Sequence, residues 1–310
     1  MSNPIKLIAA LALGLGACAI DRDPEPSAPT KNAADAEADA ESLIFRTEPV
    51  HIGAGEERFV CFAAPMMEDA VIDGYAHGAQ AFVHHVVFAR TLAPEPEGLS
   101  ECDTLFRTTW DPLFITGAGS ASLKFPEGVG HKLKQGAQLL VQMHLLNASE
   151  HDVEEPVAIK MHRSPVAEPE PVGTYVLGST DVHLPPGQSS EIQGTCTLEE
   201  SVKVIAAFPH MHWLGKRLTV ELGSSADDMH TIFTRDPYDF DNQHIEEMTL
   251  ELKPGDVTRV TCSYDNTTPH EVGFGESTTN EMCFFIGFAV GRDKLTSTCL
   301  KRDPAKMPMP

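Results

Sequence analysis

Apolar and polar residues along this chain alternate over short stretches and only weakly at helical spacing. In 138–146, Leu139, Val141, Met143 and Leu145 share one side while Gln142 and His144 share the other, the period-two signature of a β-strand. Similar runs occupy 82–89, 202–208, 217–222 and 259–264, with Gly, Pro, Asn and Asp breaking the chain between them. The pattern predicts an all-β protein of short antiparallel strands. Residues 164–173, with Pro165, Pro169 and Pro171 set among acidic and small residues, read as a linker. It divides 43–163 from 174–303, each large enough for one β-sandwich, and leaves 304–310 as a tail. No convincing sequence repeat relates the halves, although their size and strand content allow a shared architecture.

Length supports the division, since 310 residues exceed the usual size of one core. With 42% hydrophobic and 22% charged residues, the composition is that of a folded protein. A formal net charge of -22 argues against electrostatic binding of nucleic acid or an anionic membrane surface, and otherwise marks solubility.

The N-terminus changes the picture more. Behind Lys6, the apolar run 7–15 is too short to span a bilayer. It closes on Leu15-Gly16-Ala17-Cys18, which resembles the lipobox of bacterial lipoproteins. That resemblance implies a signal peptide over 1–17 and lipid on Cys18, which would be the only hold on a membrane. Ala19 rather than Asp after the cysteine favours the outer membrane or cell surface of the bacterial envelope. Residues 18–42, rich in Asp, Glu, Pro and Ala, read as a flexible tether. Setting Cys18 aside leaves Cys61, Cys102, Cys196, Cys262, Cys283 and Cys299, an even set in an oxidising compartment. Structural disulfides are expected, and spacing alone does not choose their pairing.

Among fourteen histidines, three groups stand apart. His84 and His85 are adjacent in an apolar strand, where neighbours face opposite ways, so one of them needs a bulge or a partner. His144 shares its side of a strand with Gln142; alone it would read as a surface residue. His210 and His212 lie two apart near the end of a strand, so both rings can reach one ion. Pro209 beside them marks a strand end or edge, and Leu214-Gly215 opens a turn into Leu218, Val220 and Leu222. One site of three histidines and one of two histidines lacking a further ligand are thus expected. Three imidazoles suit zinc as well as copper, whereas a thioether completing the second site would select Cu(I). His51, His77, His131, His151, His162, His183, His230, His244 and His270 sit in polar or turn-rich stretches and are read as non-ligands.

In chain order the sequence gives His84-His85, Gln142-Met143-His144, His210-Met211-His212-Trp213-Leu214-Gly215 and Glu281-Met282-Cys283. It resembles the copper type II ascorbate-dependent monooxygenases, the family of peptidylglycine α-hydroxylating and dopamine β-monooxygenases, from about Cys61 to Cys299. The resemblance implies two jelly-roll-like sandwiches facing each other across a solvent-filled cleft. It assigns His84, His85 and His144 to an electron-donating copper, with Gln142 beside it, and His210, His212 and Met282 to the copper that meets O2. It pairs Cys61 with Cys102, Cys262 with Cys283 and Cys196 with Cys299. The implied chemistry is hydroxylation of a C–H bond of a small substrate with O2 and a one-electron reductant such as ascorbate.

One departure bears on substrate. Where peptide-amidating members place an Arg before the HxH and a Tyr after the Met, this chain has Phe208 and Ile286. Peptide amidation is therefore not expected, and these two positions are candidates for an apolar substrate pocket. A non-enzymatic lipoprotein that stores or delivers copper would use the same ligands, and a scaffold that kept the fold would need neither set. Two chemically different sets favour the enzyme. Nothing in the sequence speaks to oligomeric state.

Overall fold

The structure, a computed structural model, describes residues 41–102, 107, 109–291 and the backbone of 296–301. The expected signal peptide, Cys18 with nearly all of its tether, and the tail 304–310 lie outside these residues. All described residues belong to one compact unit of the chain.

The alternating pattern folds as expected, into strands. The first half comprises β1 (Ser42–Arg46), β2 (Val50–Ile52), β3 (Glu57–Pro65), β4 (Ala70–His77), β5 (Val83–Thr91), β6 (Gly98–Glu101), β7 (Trp110–Thr116), β8 (Ala121–Lys124), β9 (His131–Leu133), β10 (Gln138–Leu146), β11 (Val153–Glu155) and β12 (Ala158–Arg163). The second comprises β13 (Val172–Ser179), β14 (His183–Leu184), β15 (Gln188–Thr197), β16 (Val202–His210), β17 (Gly215–Ser225), β18 (Asp228–Arg235), β19 (Glu246–Leu252), β20 (Val257–Asn266), β21 (Val272–Gly273), β22 (Cys283–Val290) and β23 (Thr296–Lys301). A 3-10 turn, Phe240–Asn242, lies between β18 and β19. The tether and linker expectations run slightly long, since Ser42 opens β1 and Val172 and Gly173 open β13.

Each half is a sandwich of two antiparallel sheets. In the first, β1-β12-β4-β8 faces β6-β3-β10-β5-β7; in the second, β19-β16-β22-β13-β23 faces β15-β20-β17-β18. Within the larger sheets only the β13–β23 pairing is parallel among the described strands. Leaving β6, β9 and β23 aside, the halves correspond strand for strand in chain order: β1-β12-β4-β8 repeats as β13-β22-β16-β19, and β3-β10-β5-β7 as β15-β20-β17-β18. Even the two-stranded pair β2-β11 recurs as β14-β21. Each half is therefore an eight-stranded jelly roll.

A sequence repeat does accompany the shared architecture, but in the turns. Val50-His51-Ile52-Gly53-Ala54-Gly55 is echoed by Val182-His183-Leu184-Pro185-Pro186-Gly187. Lys134-Gln135-Gly136 ahead of β10 is echoed by Lys253-Pro254-Gly255 ahead of β20, with left-handed glycines in both (φ 81° and 89°). After these strands come Asn147-Ala148-Ser149 and Asn266-Thr267-Thr268. In each turn the buried asparagine donates to two carbonyls beside the matching short strand, Ile52 and Gly53 or Leu184 and Pro185. Its Oδ1 accepts from the hydroxyl and backbone N–H of Ser149 or Thr268.

The halves are packed together, not set apart. The outer face of β5 and β7 meets the outer face of β13, β16 and β22, where Val87, Ile115, Val176, Phe208, Met282, Phe284 and Ile286 form one buried cluster. Thr174 also donates to the Pro112 carbonyl across the junction at 3.2 Å. Strands β13 and β22 are consequently buried along their whole length, and they read as continuous apolar runs, as strands covered on both faces do. At about 1.5–3 kcal/mol for each buried large apolar side chain, the junction strongly favours contact over a solvent-filled cleft at this face.

Candidate metal centres

The first set lies on the outer face of the β3-β10-β5 sheet. His144 pairs with His85, but the next pair is Leu145 with Val83, so His84 is the extra residue of a β-bulge. That bulge answers the sequence problem: it breaks the alternation and brings His84 and His85 to one side. The ring centroids of His84 and His85 lie 5.1 and 4.8 Å from that of His144. One nitrogen from each of the three falls within 4.8 Å of the others. His144 is buried, not exposed, because the second half covers the polar side of its strand.

His144 is held on both flanks. Phe59 stacks on its ring at 4.3 Å and 8°, and its Nε2 lies 2.8 Å from Glu57 Oε1. Burial lowers the pKa of His144 despite the favourable effect of Glu57. For Glu57, burial pushes upward, but hydrogen bonds from His144 and Thr278 outweigh it and keep the carboxyl ionised. The pair is thus a neutral imidazole donating Nε2–H to a carboxylate, which leaves the Nδ1 lone pair facing inward. That Nδ1 lies 3.3 Å from His85 Nδ1.

In the second half, β16 ends at His210, and the pairing of β16 with β19 stops at Ala207, so Pro209 costs no bond on that side. His210 and His212 have ring centroids 5.1 Å apart. His210 Nδ1 donates to Gln243 Oε1 at 2.7 Å and His212 Nδ1 to the Asn280 carbonyl at 3.0 Å. Both rings therefore offer Nε2 as the lone pair. The loop between them is fixed by Tyr238, whose hydroxyl accepts from Met211 N and donates to Met211 O. Gly215 gives the buried Met211 side chain its room, since a Cβ there would lie 2.5 Å from Met211 Cε and 3.0 Å from the His212 carbonyl oxygen.

Met282 follows a buried carboxylate. Glu281 accepts from the backbone N–H of His212 at 2.9 Å, Leu214 at 2.7 Å and Met282 at 3.3 Å. Burial pushes its pKa up to about 7, against those three bonds. Tyr264 donates to the Met282 carbonyl at 2.6 Å, and the Cys262–Cys283 disulfide ties the next residue to β20. The Met282 side chain is buried in the cluster that contains Phe208, which itself stacks on His210 at 5.7 Å. Phe208 and Ile286 are packed there at 2% and 1% exposure, so in this arrangement they form part of the junction core.

The two sets face each other at close range: the rings of His85 and His210 are 6.1 Å apart. Phe240 lies between them, stacked on His84 at 4.3 Å and 6.2 Å from His212. Gly117 admits Gln243, since a Cβ there would lie 2.6 Å from Gln243 Cβ. Gln142 is wholly buried on the same face as His144, with no hydrogen-bond partner for either amide atom.

The donors fit a soft or borderline cation. Burial lowers the pKa of every ring, His84 and His212 to about 4 and His210 to about 3, and holds His85 well below its ordinary value. All are neutral at pH 7 and available as ligands. His84 Nδ1 and Nε2, His85 Nε2 and His210 Nε2 are buried with no hydrogen-bond partner, an expense that a bound metal would remove.

Several of these contacts have no local sequence signal. Glu57, Gln243, Asn280, Tyr238 and Tyr264 act on the rings or their loops from distant positions. Glu281 was visible only as part of a motif. The Cys61–Cys102 disulfide is formed in the first half; Cys196 is disulfide-bonded, and the side chain of its expected partner Cys299 lies outside the described ones. His77 and His131, which the sequence places in polar or turn-rich stretches, are buried: His77 bonds the Ala158 carbonyl, and His131 bonds Tyr75 and the Val172 carbonyl.

Residues 171–307 match the family described as copper type II ascorbate-dependent monooxygenase, C-terminal domain. A human protein named putative DBH-like monooxygenase protein 2 is 26% identical over 240 residues, covering 69% of this chain and 48% of the relative. A Drosophila melanogaster protein, MOXD1 homolog 1, is 24% identical over 196 residues, covering 56% of this chain and 28% of the relative. The chain thus spans about half the length of the human protein and less of the fly protein. Among solved structures, PNGase F from Flavobacterium meningosepticum has a TM-score of 0.38 at 8% identity, covering 83% of this chain and 97% of that one; a likeness that slight carries no argument. The matched segment contains His210, His212 and Met282, and the human relative aligns well beyond it in length: the chain is similar to the copper type II ascorbate-dependent monooxygenases, most directly over its second half.

Proposed function

We propose that this protein is a copper-dependent monooxygenase that hydroxylates a C–H bond of a small substrate, using O2 and a one-electron reductant such as ascorbate. What supports the reading is that His84, His85 and His144 cluster on one side of a junction while His210 and His212 lie together on the other, with Met282 buried in the same junction. His84, His85 and His144 would hold one copper; His210, His212 and Met282 would hold a second. Copper supplies one-electron transfer at the first set and O2 activation at the second.

The chain's own residues supply the rest. Glu57 and Gln243 fix which nitrogen of His144 and His210 carries the proton. Glu281 and Tyr264 set the backbone from which the Met282 thioether projects. The apolar cluster around Phe208 and Ile286 excludes water and offers no charge to a peptide carboxylate, which favours a small apolar or aromatic substrate over a peptide. A storage protein gains nothing from an imidazole set and a thioether-containing set placed face to face. We further propose that Cys18 carries lipid and holds the protein at the bacterial envelope; Cys18→Ser should then move it from the membrane to the soluble fraction.

The deciding experiment supplies copper-loaded protein with ascorbate and follows O2 uptake and product formation over a panel of aromatic amines and small hydrophobic compounds. Substrate-dependent uptake with a hydroxylated product supports the reading. Tight binding of copper with no coupled uptake for any compound would move storage ahead of it.

A further inference from the structure

Glu57 makes contacts on both sides of the junction. It stands at the start of β3 in the first half, four residues before Cys61, in no motif. Its Oε1 accepts from His144 Nε2 at 2.8 Å. The same carboxylate accepts from Thr278 in the second half, from the backbone N–H at 3.3 Å and from the hydroxyl at 3.1 Å. Thr278 belongs to the compact loop 274–281, closed by hydrogen bonds from Asn280 N to the Ser277 carbonyl and from Gly275 N to the Glu281 carbonyl. That loop presents the Asn280 carbonyl to His212 Nδ1 and the Glu281 carboxylate to His212 N, Leu214 N and Met282 N. One side chain therefore orients a ring of the first donor set and anchors the loop that shapes the second.

We propose that Glu57 is a positioning residue that holds the two donor sets in register across the junction. The inference rests on reading these sets as metal sites, though its main test does not. Losing Glu57 frees the His144 ring and unfastens loop 274–281 together. Losing only the Thr278 hydroxyl loosens the loop and leaves His144 held. The amide of Glu57→Gln preserves the contacts: its oxygen accepts from His144 and Thr278 N, and its NH2 donates to the Thr278 hydroxyl.

The test compares Glu57→Ala, Glu57→Gln and Thr278→Val in the full chain. Amide hydrogen exchange over 274–281 is followed in metal-free protein. Copper affinity and Cu(II) electron paramagnetic resonance are then measured with copper alone. Glu57→Ala should speed exchange in the loop about tenfold, the scale of losing charge-assisted hydrogen bonds, weaken copper at the second set and alter the resonance of the first. Glu57→Gln should restore loop protection. Thr278→Val should speed exchange by less and leave the first resonance unchanged. Wild-type protection in Glu57→Ala, or a loosened loop with wild-type copper affinity at the second set, would overturn the proposal. Because exchange is read without metal, a chain that bound no copper would refute the metal reading and still decide the contact.

Discussion

The two halves are built on one jelly-roll plan, yet the proposed donor residues lie on strands that do not correspond. The first half uses β5 and β10; the second uses the end of β16 and the segment entering β22. In the shared plan, β16 corresponds to β4 and β22 to β12. The first-half counterpart of His210, at the end of its strand, is His77, which bonds a carbonyl of its own sandwich. Counted from the matched turns, the position of His144 is held by Ser263. The packing explains the mismatch. The first half presents the face of one sheet to the junction, and the second presents the face of the other. Two sets that meet at such a junction must sit on non-equivalent strands, so a duplicated frame does not imply duplicated sites.

The halves also differ in how they hold their donors. The first set stands on paired strands, shaped by a bulge. The second hangs on a loop pinned by Glu281, Tyr238, Tyr264 and the Cys262–Cys283 bond. The sharpest way to probe this difference is Met282. Met282→His should keep copper at the second set, since imidazole is a good ligand, yet lose hydroxylation by about 100-fold or more, beyond what outer contacts cost. His144→Ala should instead lose copper at the first set and spare the second. Copper content and ascorbate-driven turnover check both; full activity in Met282→His would erase the distinction.

The disulfides come next. Removing Cys61–Cys102 or Cys262–Cys283 should each cost about 2–5 kcal/mol. Their separations are 41 and 21 residues, so loop entropy makes the first the costlier by roughly 0.6 kcal/mol. Copper affinity should follow the opposite order, because only Cys283 adjoins a donor. Denaturant unfolding and copper titration of the paired Ser variants measure the two rankings.

Acid should separate the halves further. Burial, then repulsion from Arg90, holds His131 at a pKa of about 3, and burial lowers His77 as well. A histidine with a folded pKa below its unfolded value of about 6.5 stabilises the fold above that pH. The contribution is lost as pH falls from there toward the folded value, at up to about 1.4 kcal/mol per pH unit for each such group. The first half holds His77, His84, His85, His131 and His144; the second holds His210 and His212. In metal-free protein, amides of the first core should lose exchange protection at higher pH than those of the second. His131→Gln should shallow the pH dependence of stability between pH 6 and 4.

The smallest effect tests the likeness. Ser149→Ala and Thr268→Val remove the same hydroxyl contacts from matched turns. Each should cost about 1 kcal/mol in denaturant unfolding, and clearly unequal losses would weaken the strand-for-strand correspondence.

Much of this was legible in the sequence because it was local. Alternation gave the strands, the adjacent His84 and His85 called for a bulge or a partner and a bulge is present, and Pro209, which marked a strand end or edge, stands at a strand end. The burial of His144 was not legible, because its strand looks half-exposed until the second half covers it. The roles of Glu57 and Thr278, 221 positions apart, depend wholly on that packing. The duplication escaped a strand-based reading because the strands diverged while the asparagine and glycine turns kept their shape.

The central claim is two separate metal sites meeting at one junction, and with His85 and His210 only 6.1 Å apart a single shared ion is the rival arrangement. Metal analysis of copper-loaded, dialysed protein decides between them. Wild type should retain two coppers per chain, the His84→Ala/His85→Ala double variant one, and the His210→Ala/His212→Ala double variant one. A single copper in wild type that is lost in both double variants would contradict the account.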